Sequence, residues 1–352
     1  MHVLIAGLGA IGQRHARNLR SLLGTGMRLS AYRVRRLSGV VTPQLQLDRS
    51  QDVEASLGIE SFDDLSAALR EKPDIAVVAN PSNAHVATAL ACARAGCHLF
   101  IEKPLSNSLD GVDELSAEVD RRGLVAMVGY QLRFHPSFER FAQIVAGGAL
   151  GNLLSVRATV GEYLPDWHRY EDYRRMYAAR ADLGGGVVLT QIHEYDYLCA
   201  LFGVPEKLFA LGGQWSDLEL DVEDAASVLM QCSVSGRPLP VALAQDYLQR
   251  PANRTCEAVG DRGKAVLDFS ARTVELRQDG GEPAIDRLET FDRNDLYLRE
   301  MRYFLGCVAE GRRPSIDLRE GRKSLEIALA VKRSIATGTL VDLAPAGRAH
   351  VA

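Results

Sequence analysis

The chain opens on a short apolar run of strand length, Met1 to Ala6, and meets its first glycine immediately afterwards at Gly7. From there to Gly129, short apolar runs alternate with segments of helical period. Met27 to Tyr32, Asp74 to Ala79, Cys97 to Ile101 and Leu124 to Gly129 read as strands. The continuous apolarity of the run that ends at Ala79 is what burial on both faces of a sheet demands. Helices are expected over Ile11 to Leu23, from the cap Ser61-Phe62-Asp63-Asp64-Leu65 toward Arg70, over Ala84 to Ala95 with Gly96 as stop, and over Ser108 to Arg122. This alternation predicts a doubly wound parallel sheet of about six strands, the usual dinucleotide-binding (Rossmann) architecture, with its edge near Gly129.

Beyond Gly129 the pattern changes. Pro136 to Ala146 reads as a connecting helix. Asn152 to Gly161, Lys207 to Trp215, Ala225 to Cys232, Leu239 to Tyr247, Arg254 to Gly260 and Lys264 to Phe269 then read as strands, many β-branched or alternating. Gly260-Asp261-Arg262-Gly263 fits a hairpin turn, and helices near Gly186 to Phe202, Asp295 to Glu310 and Arg319 to Thr337 would cover one sheet face. The expected fold class is therefore α/β plus α+β. Residues 1–129 form the dinucleotide-binding domain, and residues 130–352 form a mainly antiparallel open sheet for substrate binding and oligomerisation. The uncovered sheet face predicts a homodimer or homotetramer built face to face.

Composition narrows the classes of function. A chain of 352 residues, 47% hydrophobic and 24% charged, can bury two cores. Its net charge of −4 gives no basic field for nucleic acid, and no block of like charge marks a membrane surface. The six cysteines lack any CxxC spacing, so neither a zinc site nor a disulfide framework is expected, no metal is called for, and reduced thiols fit a cytoplasmic location. The apolar start lacks a basic leader region and no apolar run reaches membrane-spanning length, which predicts a soluble, unexported protein with no membrane partner.

Gly7, Gly9 and Gly12 in Gly7-Leu8-Gly9-Ala10-Ile11-Gly12 have the spacing that opens a dinucleotide-binding helix. The first allows a tight turn, the second lets backbone approach a pyrophosphate, and the third lets the helix pack on the sheet. Ala10 and Ile11 then sit at the helix N-terminus, whose free N–H groups face phosphate. Where NAD-specific folds place a carboxylate after strand two, this chain has Tyr32-Arg33-Val34-Arg35-Arg36. Arg33 with Arg35 or Arg36 could pair with a ribose phosphate, which favours NADP over NAD; a solvated basic loop is the alternative. Asn80-Pro81-Ser82 ends a buried strand at the sheet's carboxyl edge, where ligands bind. His85 follows as a ribose contact or a plain polar residue of a helix start. The strand ending in Glu102-Lys103-Pro104 places a lysine beside the cofactor.

Together these residues resemble the glucose-fructose oxidoreductase, inositol dehydrogenase and rhizopine-catabolism (Gfo/Idh/MocA) family. The likeness spans nearly the whole chain and is carried by Gly7 to Gly12, Asn80-Pro81-Ser82-Asn83-Ala84-His85, Glu102-Lys103-Pro104, Gly129-Tyr130-Gln131-Leu132-Arg133-Phe134, and Gly184-Gly185-Gly186 followed by His193. It implies that Lys103 lies between nicotinamide and the substrate hydroxyl, and that Glu102 holds the cofactor ribose or orients the lysine. An ammonium beside a reacting alcohol stabilises a developing alkoxide, in agreement with that role. The pair Lys103-Pro104 can take the cis form. His193 is the implied proton-transfer residue, unless it merely caps core contacts. The family usually carries an aspartate one helical turn before this histidine; here Thr190 stands nearest, sharing the helix face but unable to act as a base. Asp196 could orient the imidazole instead.

Gln131 replaces the asparagine common in the family and joins the cofactor contacts, while Arg133 matches its basic residue, as a substrate anchor or a domain-interface salt bridge. The segment Tyr163 to Arg174 crowds aromatics with charge, so Tyr163, Trp167, His168 and Tyr173 are sugar-binding candidates, with a structural loop as the alternative. The resemblance implies an NAD(P)-dependent oxidoreductase moving a hydride between nicotinamide and a secondary alcohol of a sugar, a phosphorylated or nucleotide-linked sugar, or a cyclitol. A redox-elimination enzyme of glycosidase type and an inactive cofactor-binding regulator are the alternatives.

Overall fold

The computed structural model describes residues 1–24, 26–34, 39–42 and 44–343. Backbone contacts divide it into two units. The first comprises Met1–Gln131, His168–Gly185 and Asp292–Leu325, so it takes in two stretches far beyond Gly129; the second comprises Leu132–Trp167, Gly186–Phe291 and the chain from Glu326 onward.

The first unit holds six parallel strands: β1 His2–Ala6, β2 Arg28–Tyr32, β3 Ile59–Phe62, β4 Ile75–Val78, β5 His98–Glu102 and β6 Ala126–Gly129. Their order across the sheet is β3-β2-β1-β4-β5-β6, the doubly wound arrangement whose strand order reverses beside β1. β1 and β4 are buried at every position, which explains the apolar runs Val3–Ala6 and Ile75–Val78. The edge strand β3 takes in Ser61 and Phe62, which the sequence pattern assigns to a helix cap. The cap itself is Asp64, whose carboxylate accepts from the Ala67 N–H at 2.7 Å.

The longer helices are, in chain order, α1 Ala10–Leu23, α2 His85–Arg94, α3 Val112–Arg122, α4 Pro136–Ala146, α5 His193–Phe202, α6 Arg293–Glu310 and α7 Leu318–Thr337. The single helix expected near Gly186 to Phe202 is in fact two. A four-residue turn, Val187–Thr190, stops at Gln191 (φ −98°, ψ 35°), and α5 starts afresh at His193. Thr190 and His193 therefore do not share one continuous helical face.

The second unit is built on a nine-stranded sheet. Its strands are β7 Leu153–Gly161, β8 Lys207–Gly213, β9 Ala225–Val234, β10 Arg237–Asp246, β11 Asn253–Gly260, β12 Gly263–Asp268, β13 Thr273–Gln278, β14 Ala284–Arg287 and β15 Val341–Asp342. They lie in the order β14-β13-β12-β11-β7-β10-β9-β8-β15, antiparallel throughout except where β7 runs parallel to β10. Gly260 pairs with Gly263 across the expected hairpin. Along β8 and β9 the side chains alternate. Leu208, Ala210, Val228 and Met230 are buried on one face, while Leu211 and Leu229 stand 57% and 63% exposed on the other. No helix among the described residues is long and apolar enough to cross a membrane.

Candidate active site

The glycine fingerprint does in space what its spacing requires. Gly7 has φ +98°, and a Cβ there would lie 2.6 Å from the Ala79 carbonyl oxygen. A Cβ at Gly12 would lie 2.0 Å from the Gly7 carbonyl oxygen, so turn and helix can touch only without side chains. Gly9 differs: a Cβ there meets nothing within 4 Å. That open side lies at the N-terminus of α1, which has no side-chain cap and no acidic residue in its first turn. Free N–H groups, a positive dipole end and open space together fit a pyrophosphate. Ala10 and Ile11 are the first residues of that helix. At the neighbouring strand end Asn80 donates from Nδ2 to Thr88 Oγ1 at 2.9 Å and leaves its buried Oδ1 without a partner, an acceptor suited to a cofactor hydroxyl or amide.

Arg33 follows β2 as expected, but it is already engaged. Its side chain is 5% exposed and its Nη1 donates to Glu54 Oε1 at 2.8 Å. A ribose phosphate would have to share that guanidinium with a carboxylate, which corrects the reading of Arg33 as an open phosphate ligand. Arg35 and Arg36 lie outside the described residues.

The strand β5 carries Glu102 to its end, where the residue is buried and its carboxylate lies 2.6 Å from His15 Nε2. His15 is fully buried on α1, edge-on to Phe100 at 5.1 Å and to Tyr297 at 6.1 Å. Glu102 is thus bonded to the fingerprint helix itself. Nothing in the sequence reading named His15, although a histidine three residues past Gly12 on the helix's sheet-facing side was a visible signal. Gln131 also turns to this cluster, donating from Nε2 to the Tyr297 hydroxyl at 3.4 Å. Lys103, half-buried, is the first residue past β5, and its bond to Pro104 is cis.

His85 braces the two strand ends. Its Nδ1 lies 2.7 Å from the Pro104 carbonyl oxygen and its Nε2 lies 2.8 Å from that of Asn80. Burial pushes its pKa down, and the two carbonyl contacts oppose that shift. Both ring nitrogens are taken by main chain, which replaces the ribose contact considered for His85. It links the loop of Asn80 and Pro81 to the loop of Lys103.

The Gly184-Gly185-Gly186 run has a packing cause. A Cβ at Gly184 (φ +80°) would lie 2.3 Å from Ser82 Oγ, and one at Gly186 (φ +99°) would lie 2.3 Å from Glu223 Oε1. Ser82 Oγ in turn donates to the Leu183 or Gly184 carbonyl at 3.1 and 3.2 Å. Gly184 and Gly186 thus make room for protein atoms.

In the second unit His193 is buried at the first turn of α5. Thr190 donates from Oγ1 to the Gly186 carbonyl at 2.9 Å and is also hydrogen-bonded to the Tyr247 hydroxyl. Tyr247 is fully buried, and the Trp167 ring meets it edge-on at 5.4 Å. Gln191 donates to the Asp246 carbonyl at 3.0 Å while Gln245 donates to the Gln191 carbonyl at 2.9 Å, which fixes the break between Thr190 and His193. Tyr247, Gln191 and Gln245 escaped the sequence reading, since their partners lie more than fifty residues away. Asp196 receives Arg133: Nε donates to Oδ2 at 2.7 Å and Nη2 to Oδ1 at 2.9 Å. The Arg133 pair lies wholly inside the second unit, which corrects the domain-interface reading.

The crowded segment after Tyr163 is divided. Tyr163 and Trp167 belong to the second unit, where Arg250 stacks on Tyr163 at 3.6 Å and donates to Asp166 at 2.7 Å. His168 and Tyr173 belong to the first, where His168 stacks on Tyr170 at 5.4 Å and Tyr173 opens a short 3-10 turn.

Comparison with known proteins adds the following. Residues 1–130 match the family model described as an oxidoreductase family with an NAD-binding Rossmann fold, and residues 138–266 match the GFO/IDH/MocA C-terminal domain. The chain is 28% identical to a myo-inositol 2-dehydrogenase of Thermotoga maritima, over 95% of this chain and 96% of that protein. It is 27% identical to a D-xylose 1-dehydrogenase (NADP(+)) of Haloferax volcanii, over 84% and 89% respectively. The crystal structure of a probable dehydrogenase from Thermotoga maritima superposes with a TM-score of 0.74 at 25% identity, covering 97% of this chain and 99% of that one.

Proposed function

Because the chain belongs to the Gfo/Idh/MocA oxidoreductase family, we propose that it moves a hydride between nicotinamide and a secondary alcohol carbon of a cyclitol or sugar, with Lys103 and His193 as its catalytic residues. One observation carries this reading: the 2.6 Å contact between Glu102 and His15 fixes the strand end bearing Lys103 to the helix whose N-terminus forms the phosphate cradle. Lysine and cofactor are thereby held in one frame, and orientation of reacting groups is a large part of catalysis. NAD(P), when bound, accepts or supplies the hydride. Gly7, Gly9, Ala10, Ile11 and Gly12 hold its pyrophosphate by backbone, and Asn80 and Pro81 line its path at the sheet's carboxyl edge.

Lys103 donates a hydrogen bond to the substrate oxygen, stabilising the alkoxide that develops as the C–H bond breaks. His193 takes the hydroxyl proton during oxidation and returns it during reduction. Thr190 replaces the acid of related chains with a hydroxyl held by Gly186 and Tyr247, so it positions and does not titrate. Trp167 and Tyr163 offer ring faces for the apolar C–H patches of a sugar or cyclitol.

Arg33 and Glu54 set cofactor choice as a pair in this proposal. Glu54 neutralises Arg33 and leaves a carboxylate for a ribose hydroxyl, which shifts the expectation from NADP toward NAD. The exposed face bearing Phe209, Leu229 and Ala242, neighbours across β8, β9 and β10, receives a second copy of the chain. Six buried, unbridged cysteines accord with a reducing cytoplasm. The test is a panel of cyclitols, aldoses and nucleotide sugars with NAD and NADP separately, followed by nicotinamide absorbance. Lys103→Ala should abolish the response while binding cofactor normally. Product release without net nicotinamide reduction would instead indicate redox elimination.

A further inference from the structure

A second site lies within the first unit, on the flank of the fingerprint helix. Arg14, Arg17, Asn18 and Ser21 of α1, Gln44 and Leu45 of the loop beyond β2, and the start of α6 enclose a cleft of about 440 Å³. Its charges are one-sided. Arg14, Arg17 and Arg293 line it, and among the described residues none of the three has an ion-pair partner. Most other arginines of the chain do, from Arg28 with Glu60 and Glu71 to Arg322 with Asp113. The one carboxylate on the cleft, Asp292, is committed to capping α6 through the Asn294 N–H at 2.8 Å.

The arginines are held in place. Arg14 rests over the Tyr297 ring at 4.6 Å, and Asn18 and Asn294 exchange hydrogen bonds at 2.8 and 3.3 Å, tying α1 to the first turn of α6. Arg17 has a buried Nη1 with no hydrogen-bond partner. Burial, then the like charge of Arg14, pushes the pKa of Arg17 down, so an uncompensated cation is held here. Keeping three guanidiniums together beside a single carboxylate, itself engaged in capping α6, is unfavourable in a chain of net charge −4 unless an anion joins them.

We propose that this cleft binds a phosphate group, free or as the monoester of a small molecule. Three planar guanidiniums match the bidentate demands of a dianionic oxyanion, and the amides of Asn18, Asn294 and Gln44 serve the remaining oxygens or an ester's organic part. The volume exceeds what a bare phosphate fills and falls in the range of small-ligand pockets. This is not the pyrophosphate cradle. At a rise of about 1.5 Å per residue, Arg17 lies roughly 12 Å along α1 from Gly9.

The test uses the full chain saturated with NAD, so that the cradle is filled, and titrates it calorimetrically with inorganic phosphate and with phenyl phosphate, an ester with no alcohol to oxidise. Sodium chloride balances ionic strength. We expect both probes to bind, with Arg17→Gln and, separately, Arg293→Gln each weakening them about tenfold or more, the loss of one charge-assisted contact. Arg121→Gln, off the cleft, should change nothing. Arg293 is exposed at a helix start, so its variant keeps the test valid should Arg17→Gln fold poorly. Wild type binding neither probe, or Arg17→Gln and Arg293→Gln binding them as wild type does, would overturn the proposal.

Discussion

Replacing Arg133 by methionine isolates what holds α5, the helix that begins at His193. The substitution keeps most of the aliphatic stem and removes both charge-assisted bonds to Asp196, at 2.7 and 2.9 Å. Asp196, whose side chain is 2% exposed, then loses the guanidinium bonded to both of its carboxylate oxygens. Breaking one side of a buried pair costs about 3–5 kcal/mol. The 17% exposure of Arg133 admits some water and points to the lower end, about 3 kcal/mol. With a urea slope of about 1–3 kcal/mol per molar, the midpoint should fall by roughly 1–3 M. The companion Arg133→Met/Asp196→Leu removes both charges and should recover most of the loss, since apolar replacements of buried pairs are often neutral. Circular dichroism across a urea series reads both. An unchanged midpoint in the single variant, or a double variant as unstable as the single, would show that the pair does not anchor the helix.

Further tests address separate parts of the site. Thr190→Val removes its hydrogen bond to the buried Tyr247 hydroxyl and should cost about 1 kcal/mol, whereas Thr190→Val/Tyr247→Phe should cost less than the sum of the singles in the same denaturation assay. His15→Phe deprives Glu102 of its buried partner; turnover should drop with cofactor affinity nearly kept, and steady-state kinetics beside fluorescence titration separates the two. Glu54→Gln frees Arg33 from its carboxylate and should raise the affinity for NADP relative to NAD; an unchanged ratio would remove the pair from cofactor choice. Leu211→Glu/Leu229→Glu charges the exposed sheet face and should lower the mass seen by light scattering if that face joins two copies.

The parallel sheet was legible because two-sided burial leaves runs such as Ile75–Val78 with no polar interruption. Strands at or next to a sheet edge were not. Ile59–Phe62 and Thr273–Gln278 are partly exposed, Ala284–Arg287 is exposed throughout, and all three carry charge, so they lack the apolar signal that burial imposes. The break before His193 was equally hidden, since no glycine or proline stands between Val187 and Phe202; the hydrogen bonds of Gln191 to the end of β10 impose it from outside the segment. Lys103 could be singled out because local sequence fixes it at a strand end. Tyr247, the partner of Thr190, could not, because the two meet only through the pairing of distant elements.

Hydride transfer itself is the most direct test. Wild-type protein is given NAD or NADP and a panel of polyols deuterated at the carbinol carbons, and the nicotinamide is read by mass spectrometry. The account predicts that deuterium appears on the reduced nicotinamide ring with at least one cyclitol or sugar, and that Lys103→Ala slows its appearance by orders of magnitude while binding cofactor as before. Labelling that never appears, or that proceeds at the wild-type rate in Lys103→Ala, would contradict it.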